Sequence, residues 1–160
     1  SLRIYACHSE DPRRNEPAVD KLLAAEAQFG LNDLATYATF EARVLATKRK
    51  LLSFLIEAKD AGKRIVGYGA PGKGNTLLNY CGIRTDFLDF TVDRSPHKQG
   101  RYTPGTHIPI LAPEKIREVR PDYVLILPWN LRREIAAQHA YISEWGGKFV
   151  VPIPHVHVLT

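Results

Sequence analysis

The alternation that begins at Lys63 constrains the fold more than any other feature of the chain. Short apolar runs (RIVGYG, DFTVD, DYVLIL and KFVVPI) are separated by stretches of helical composition (TLLNYC, APEKIREV and LRREIAAQHAYISEW). The runs are apolar on both faces, where a half-exposed strand would alternate apolar and polar residues. A strand, helix, strand grammar with two-sided strands specifies a mainly parallel sheet with helices above and below, because parallel neighbours need a crossover long enough to hold a helix. The expectation is therefore an α/β fold over residues 63–160, a three-layer α/β/α domain, with IPIL at 108–111 as a short edge strand.

Upstream the grammar differs. Residues 11–62 read as a linker and two helices. The stretch AVDKLLAAEAQFG follows Pro17, and Gly30 lies where a helix C-terminus needs a left-handed residue. Asn32 or Asp33 is placed to cap a second helix reaching Asp60, with Leu34, Tyr37, Phe40, Val44, Leu51, Leu52 and Leu55 at helical spacing. Such a helix is about 40 Å long, enough to bridge two structural units. Residues 1–10 read as a strand, Leu2 to Ala6, entered in mid-flow without an initiator Met, which suggests an excised fragment; the charged stretch SEDPRRNEP marks a boundary after it.

Composition excludes several classes. With 44% hydrophobic and 24% charged residues the chain is that of a soluble globular protein. None of its apolar runs approaches the roughly 20 residues of a membrane-spanning helix, so no membrane partner is expected. The net charge of +5 is spread along the chain without interleaved aromatics, which argues against a nucleic-acid partner. Cys7 and Cys81 form no CxxC pair, so neither a disulfide framework nor a zinc site follows, and a cytoplasmic location is the default.

Ligands of an open parallel sheet bind beyond the carboxyl ends of its strands. Four segments follow strands here: Gly67 to Asn75, Asp93 to Lys98, Pro128 to Asn130, and Pro154 to His157. The turn GYGAPGKGN fits G-x-G-x-x-G at Gly67, Gly69 and Gly72, between a strand and a helix, the context in which a Rossmann-like turn brings a phosphate to a helix N-terminus. Asp93 lies at the end of the next strand, where an acidic side chain can accept from a ribose. Gly67, Gly72 and Lys73 also approach a P-loop, but Gly74 stands where that motif needs the Ser or Thr that binds Mg²⁺, so nucleotide hydrolysis is rejected. The candidate binding residues are Gly67, Tyr68, Gly69, Ala70, Gly72, Lys73, Gly74 and Asn75 in the turn, then Asp93, Ser95 and Lys98, then Trp129 and Asn130. Trp129 is placed to stack on a ring, and Asn130 to cap a helix. His155 and His157 share a face, a weak metal signal, and no metal site is assigned. His8, His97, His107 and His139 stand singly and read as surface or internally satisfied polar residues. No G-x-S-x-G elbow or activated cysteine is present, and no catalytic residue is assigned.

GYGAPGKGNTLLNYCGI, DFTVDRSPHKQGRYTPGTHIPI, PDYVLILPWNLRREI and GGKFVVPIP together closely resemble the C-terminal domain of S-adenosylmethionine-dependent C-methyltransferases, whose type members methylate a carbon of a nucleotide-linked deoxysugar. SLRIYACH is similar to the last strand of the methyltransferase domain that precedes it in that family. The resemblance implies a three-part enzyme. Its N-terminal segment binds zinc, its central domain binds S-adenosylmethionine and carries the proton-removing tyrosine and histidine, and both lie upstream of Ser1. It further implies that this portion alone is inactive, and that its rim faces the upstream methyltransferase domain across the cleft that holds the nucleotide-sugar. Two other readings of the same turn are an NAD(P)-binding module and a sugar-nucleotide-binding module without methyltransferase activity.

Overall fold

The computed structural model describes residues 2–159 as two units, divided between Glu41 and Ala42.

In the first unit, α1 (Pro17–Phe29) starts with proline, whose missing N–H costs nothing there, and ends at Gly30 with φ 82°, as the sequence predicts. Asp33 then caps α2 (Leu34–Ala38) by accepting from the Ala35 N–H at 2.9 Å. The single helix expected from Asp33 to Asp60 is interrupted at Thr39, and α3 (Phe40–Asp60) follows. Thr39 donates its hydroxyl to the Thr36 carbonyl, a local bond that competes with helical pairing. Leu2 to Ala6 form no strand among the described residues, since a strand exists only with a neighbour and none lies beside them. None of residues 2–41 is buried.

The second unit holds a six-stranded sheet in the order β3-β2-β1-β4-β5-β6. Along the chain come β1 (Ile65–Tyr68), α4 (Gly72–Cys81), β2 (Thr91–Val92), β3 (Ile110–Leu111), α5 (Lys115–Val119), β4 (Tyr123–Ile126), α6 (Arg132–Gln138), β5 (Lys148–Val151) and β6 (His157–Val158). The first five strands are parallel, and β6 returns antiparallel to β5, pairing Val150 with Val158. The order 3-2-1-4-5 is that of a Rossmann-like sheet, with its crossovers diverging between β1 and β4. IPIL does supply the edge strand, at its last two residues.

Two apolar cores flank the sheet. On one face Leu51 and Leu55 of α3 and Leu77 and Leu78 of α4 pack on Ile65, Leu125 and Val150. On the other, Ile116 of α5 and Ile135 of α6 pack on Val66, Val124 and Phe149. Alternation along β1 explains the split: Ile65 faces one core, Val66 and Tyr68 the other. The helix expected over LRREIAAQHAYISEW divides at His139 into α6 and a 3₁₀ segment, Ala140–Trp145. At that junction the backbone of His139 leaves helical geometry, with φ −117° and ψ 29°, while its N–H still bonds the Ile135 carbonyl and its side chain reaches the Tyr68 hydroxyl.

Candidate functional site: the rim of the glycine turn

Beyond the carboxyl ends of β1, β2 and β4, three loops converge. The β1 turn owes its path to glycines with different tasks. A Cβ on Gly67 would lie 2.6 Å from Thr91 Oγ1, and one on Gly74 would lie 2.8 Å from Leu127 Cβ, so both are small because strand and helix pack against them. Gly69 has φ +84°, and its Cβ would fall 2.7 Å from Pro128. Gly72 is the exception, for a Cβ there meets nothing within 4 Å and its backbone is not left-handed. It opens α4 behind Pro71, where the first-turn N–H groups have no intrahelical acceptor.

Lys73 follows. Its ammonium donates to Asn130 Oδ1 and sits 4.6 Å from the centroid of the Trp129 ring. The contact spans the two loops at the switch point between β1 and β4, and both of these partners are uncharged. Asn130 therefore does not cap α6 as the sequence suggests. It lies inside a 3₁₀ turn, Trp129–Leu131, and Leu131 precedes α6 without a side-chain cap. Trp129 is half-buried and touches both cores, so its stem is fixed while Lys73 covers its face.

Asp93, expected to meet a ribose, is engaged within the chain. Its Oδ2 accepts from the Ala70 N–H at 2.8 Å and from Lys98 Nζ at 3.1 Å, and its Oδ1 accepts from the Ser95 N–H at 2.9 Å. Lys98 also donates to the Ala70 carbonyl at 3.1 Å. Burial pushes the Asp93 carboxyl up, but the bonds from Ser95, Ala70 and Lys98 outweigh it and hold the group below the usual carboxylate range. Asp93, Ser95 and Lys98 thus lock the β2 loop to the glycine turn. Asn75 lies one helical turn into α4, and its Oδ1 is buried without a hydrogen-bond partner.

Tyr68 reaches the site through its backbone alone. Its side chain is 4% exposed and enters the core on the α5/α6 face, where its hydroxyl is hydrogen-bonded to His139 Nε2 at 2.8 Å. His139 Nδ1 is in turn 3.1 Å from the Tyr141 hydroxyl. His139 is internally satisfied, one of the two readings the sequence leaves open for it, but the Tyr68–His139–Tyr141 chain itself is not foreseen, since Tyr68 and His139 are 71 residues apart in sequence. The available signal was chemical: a tyrosine inside a two-sided strand needs a partner for its hydroxyl.

His155 lies before β6 and His157 opens it, with His157 Nδ1 paired with the His155 carbonyl at 2.9 Å. Among the described residues no three His, Cys, Asp or Glu side chains gather as a metal site. The rim thus offers helix N–H groups, an ammonium and an aromatic face, a set suited to binding an anion beside a flat ring.

The family model of the C-methyltransferase C-terminal domain matches residues 1–154. C-methyltransferase NovU of Streptomyces niveus is 36% identical over 163 residues, covering 100% of this chain and 38% of that protein. The chain thus spans well under half the length of this relative. UDP-D-quinovosamine 4-dehydrogenase from Vibrio fischeri superposes on 61% of the chain, and on 93% of its own, with a TM-score of 0.44 and 17% identity. From the family match along nearly its whole length, the chain belongs to the C-methyltransferase C-terminal domain family.

Proposed function

We propose that this chain is the substrate-side domain of an S-adenosylmethionine-dependent C-methyltransferase, and that its rim binds the nucleotide diphosphate portion of a nucleotide-linked sugar. The observation that carries the proposal is Gly72. The other three glycines of the turn are accounted for by packing or by φ, whereas Gly72 leaves open space over the N-terminus of α4. A phosphate can approach the backbone there, with Lys73 within reach to exchange its neutral partners for an anion. Trp129, held from below, offers a ring face once Lys73 moves.

S-adenosylmethionine supplies the methyl group when bound, and its pocket belongs to the part of the enzyme outside this chain. The rim described here contains no assembled acid and base, so the chain's own residues bind and orient while the proton is removed elsewhere. The methyltransferase domain upstream is then the partner that closes the cleft. Leu2, Ile4 and Tyr5, between 65% and 84% exposed, are suited to join it. A cytoplasmic location is part of this reading, supported by two cysteines that form no CxxC pair.

Titrating the 160-residue chain with dTDP and with a dTDP-sugar while following amide resonances tests the binding role. Shifts confined to Gly69–Asn75, Asp93–Lys98 and Trp129–Asn130 are expected. Shifts elsewhere only, or none at millimolar ligand, overturn it. Equal shifts with NAD(H) would favour the dinucleotide module instead.

A further inference from the structure

Tyr68 stands between Gly67 and Gly69, so its side chain is the one anchor in a three-residue stretch at the end of β1. Packing alone would be met by Phe, which has the same ring without a hydroxyl in need of a partner. The structure instead builds a continuous rail. Tyr68 bonds His139, and His139 bonds Tyr141. The Arg117 guanidinium lies 3.6 Å from the centroid of the Tyr141 ring, and Trp145 packs beside that ring and donates to the Pro121 carbonyl at 3.0 Å. Pro121 precedes β4, so the rail crosses the α5/α6 face from the rim to the opposite edge of the sheet.

A neutral imidazole donates at one nitrogen and accepts at the other, which lets one tyrosine hydroxyl give its proton and the other receive one. An imidazolium donates at both, so whichever tyrosine hydroxyl gave its proton to the neutral ring loses that acceptor. We propose that the Tyr68–His139–Tyr141 chain positions the glycine turn for its ligand, and does so only while His139 is neutral. Tyr68 and His139 are positioning residues in this role, without ligand contact. The inference rests on the rim being the ligand site proposed above.

The surroundings favour the neutral form. Burial holds the His139 imidazole below its ordinary value, and Arg94 after β2 and Arg117 of α5 push in the same direction, while Glu114 before α5 opposes them. Asp93 and Glu134 of α6 face the Tyr68 end, and burial raises both the Tyr68 and Tyr141 hydroxyls, so both phenols stay protonated.

The test titrates dTDP into the wild-type chain and into Tyr68→Phe and His139→Gln across pH 5 to 8, while ring ¹⁵N shifts report the state of His139. Y68F is expected to raise Kd about fivefold at pH 7.5, the loss of one ordinary hydrogen bond. The ratio of H139Q to wild-type Kd is expected to approach one on acidification below about pH 6.5, as the wild type loses its advantage. Using this ratio cancels titration of the ligand phosphate. The ligand is expected to move the His139 shifts although it does not touch the ring. A Y68F Kd within twofold of wild type, a ratio independent of pH, or unmoved His139 shifts overturns the proposal while leaving the binding site intact. Absence of binding by the wild type overturns the site itself. If Y68F fails to fold, the ratio and the ring shifts decide the matter alone.

Discussion

At Gly72 and Gly74 the same substitution has opposite consequences. Gly74→Ala places a Cβ against Leu127 and Pro71 and is expected to cost about 1–3 kcal/mol by overpacking, seen as a lower denaturation midpoint. Gly72→Ala meets no atom and is expected to stabilise by about 0.4–1 kcal/mol through the unfolded chain. The same G72A should weaken dTDP binding, because the new methyl occupies the approach to the helix N-terminus. A variant that melts higher yet binds as well as wild type would remove the argument for the site. His139 gives a second test at this scale. Its folded-state pKa is depressed, so the unfolded chain takes up the proton first. Stability is then full above about pH 6.5 and falls as pH drops below it. In H139Q this part of the pH dependence should vanish from urea midpoints measured between pH 5 and 8.

Among the elements, the loop after β2 depends on one carboxylate. Asp93 receives the Ala70 and Ser95 N–H groups and Lys98, and its side chain is 13% exposed. Asp93→Asn keeps the shape but loses the charge and turns an amide toward donors. It is expected to cost about 1.5–3 kcal/mol, with increased amide exchange at Ala70 and Ser95 as the local readout. Because the Asp93 carboxyl is held below its ordinary 3.8, its contribution is present above that pH and lost as pH falls beneath it. The sheet was legible from the chain because β1, β4 and β5 are runs of consecutive apolar residues that only a two-sided strand explains. The return of β6 was not, since HVHVL is too short for a periodic signal and its pairing with β5 is set by tertiary contact. The breaks at Thr39 and His139 were hidden for a similar reason: both lie in sequence with good helical composition, and each is accompanied by a side-chain bond that composition does not reveal. In the site, the fingerprint glycines were readable because backbone geometry is local, whereas the commitments of Asp93 to Ala70 and of Lys73 to Asn130 join residues 23 and 57 apart.

In the molecule as a whole, stability is concentrated in one unit. Among the described residues every buried one lies beyond position 41, most of the apolar ones in the two cores about the sheet. Deleting residues 1–41 should therefore leave the melting temperature within a few degrees of the 160-residue chain and its sheet amides unshifted. A large drop would show that the first unit contributes to the fold. The antiparallel return of β6 has a practical use. Since β5 runs toward the rim and β6 runs back beside it, Leu159 donates its N–H to Phe149, near the start of β5 and away from the ligand-facing edge. A fluorophore or surface tether joined after Leu159 would leave from the far edge of the sheet, so an immobilised chain keeps its rim turned toward the solution.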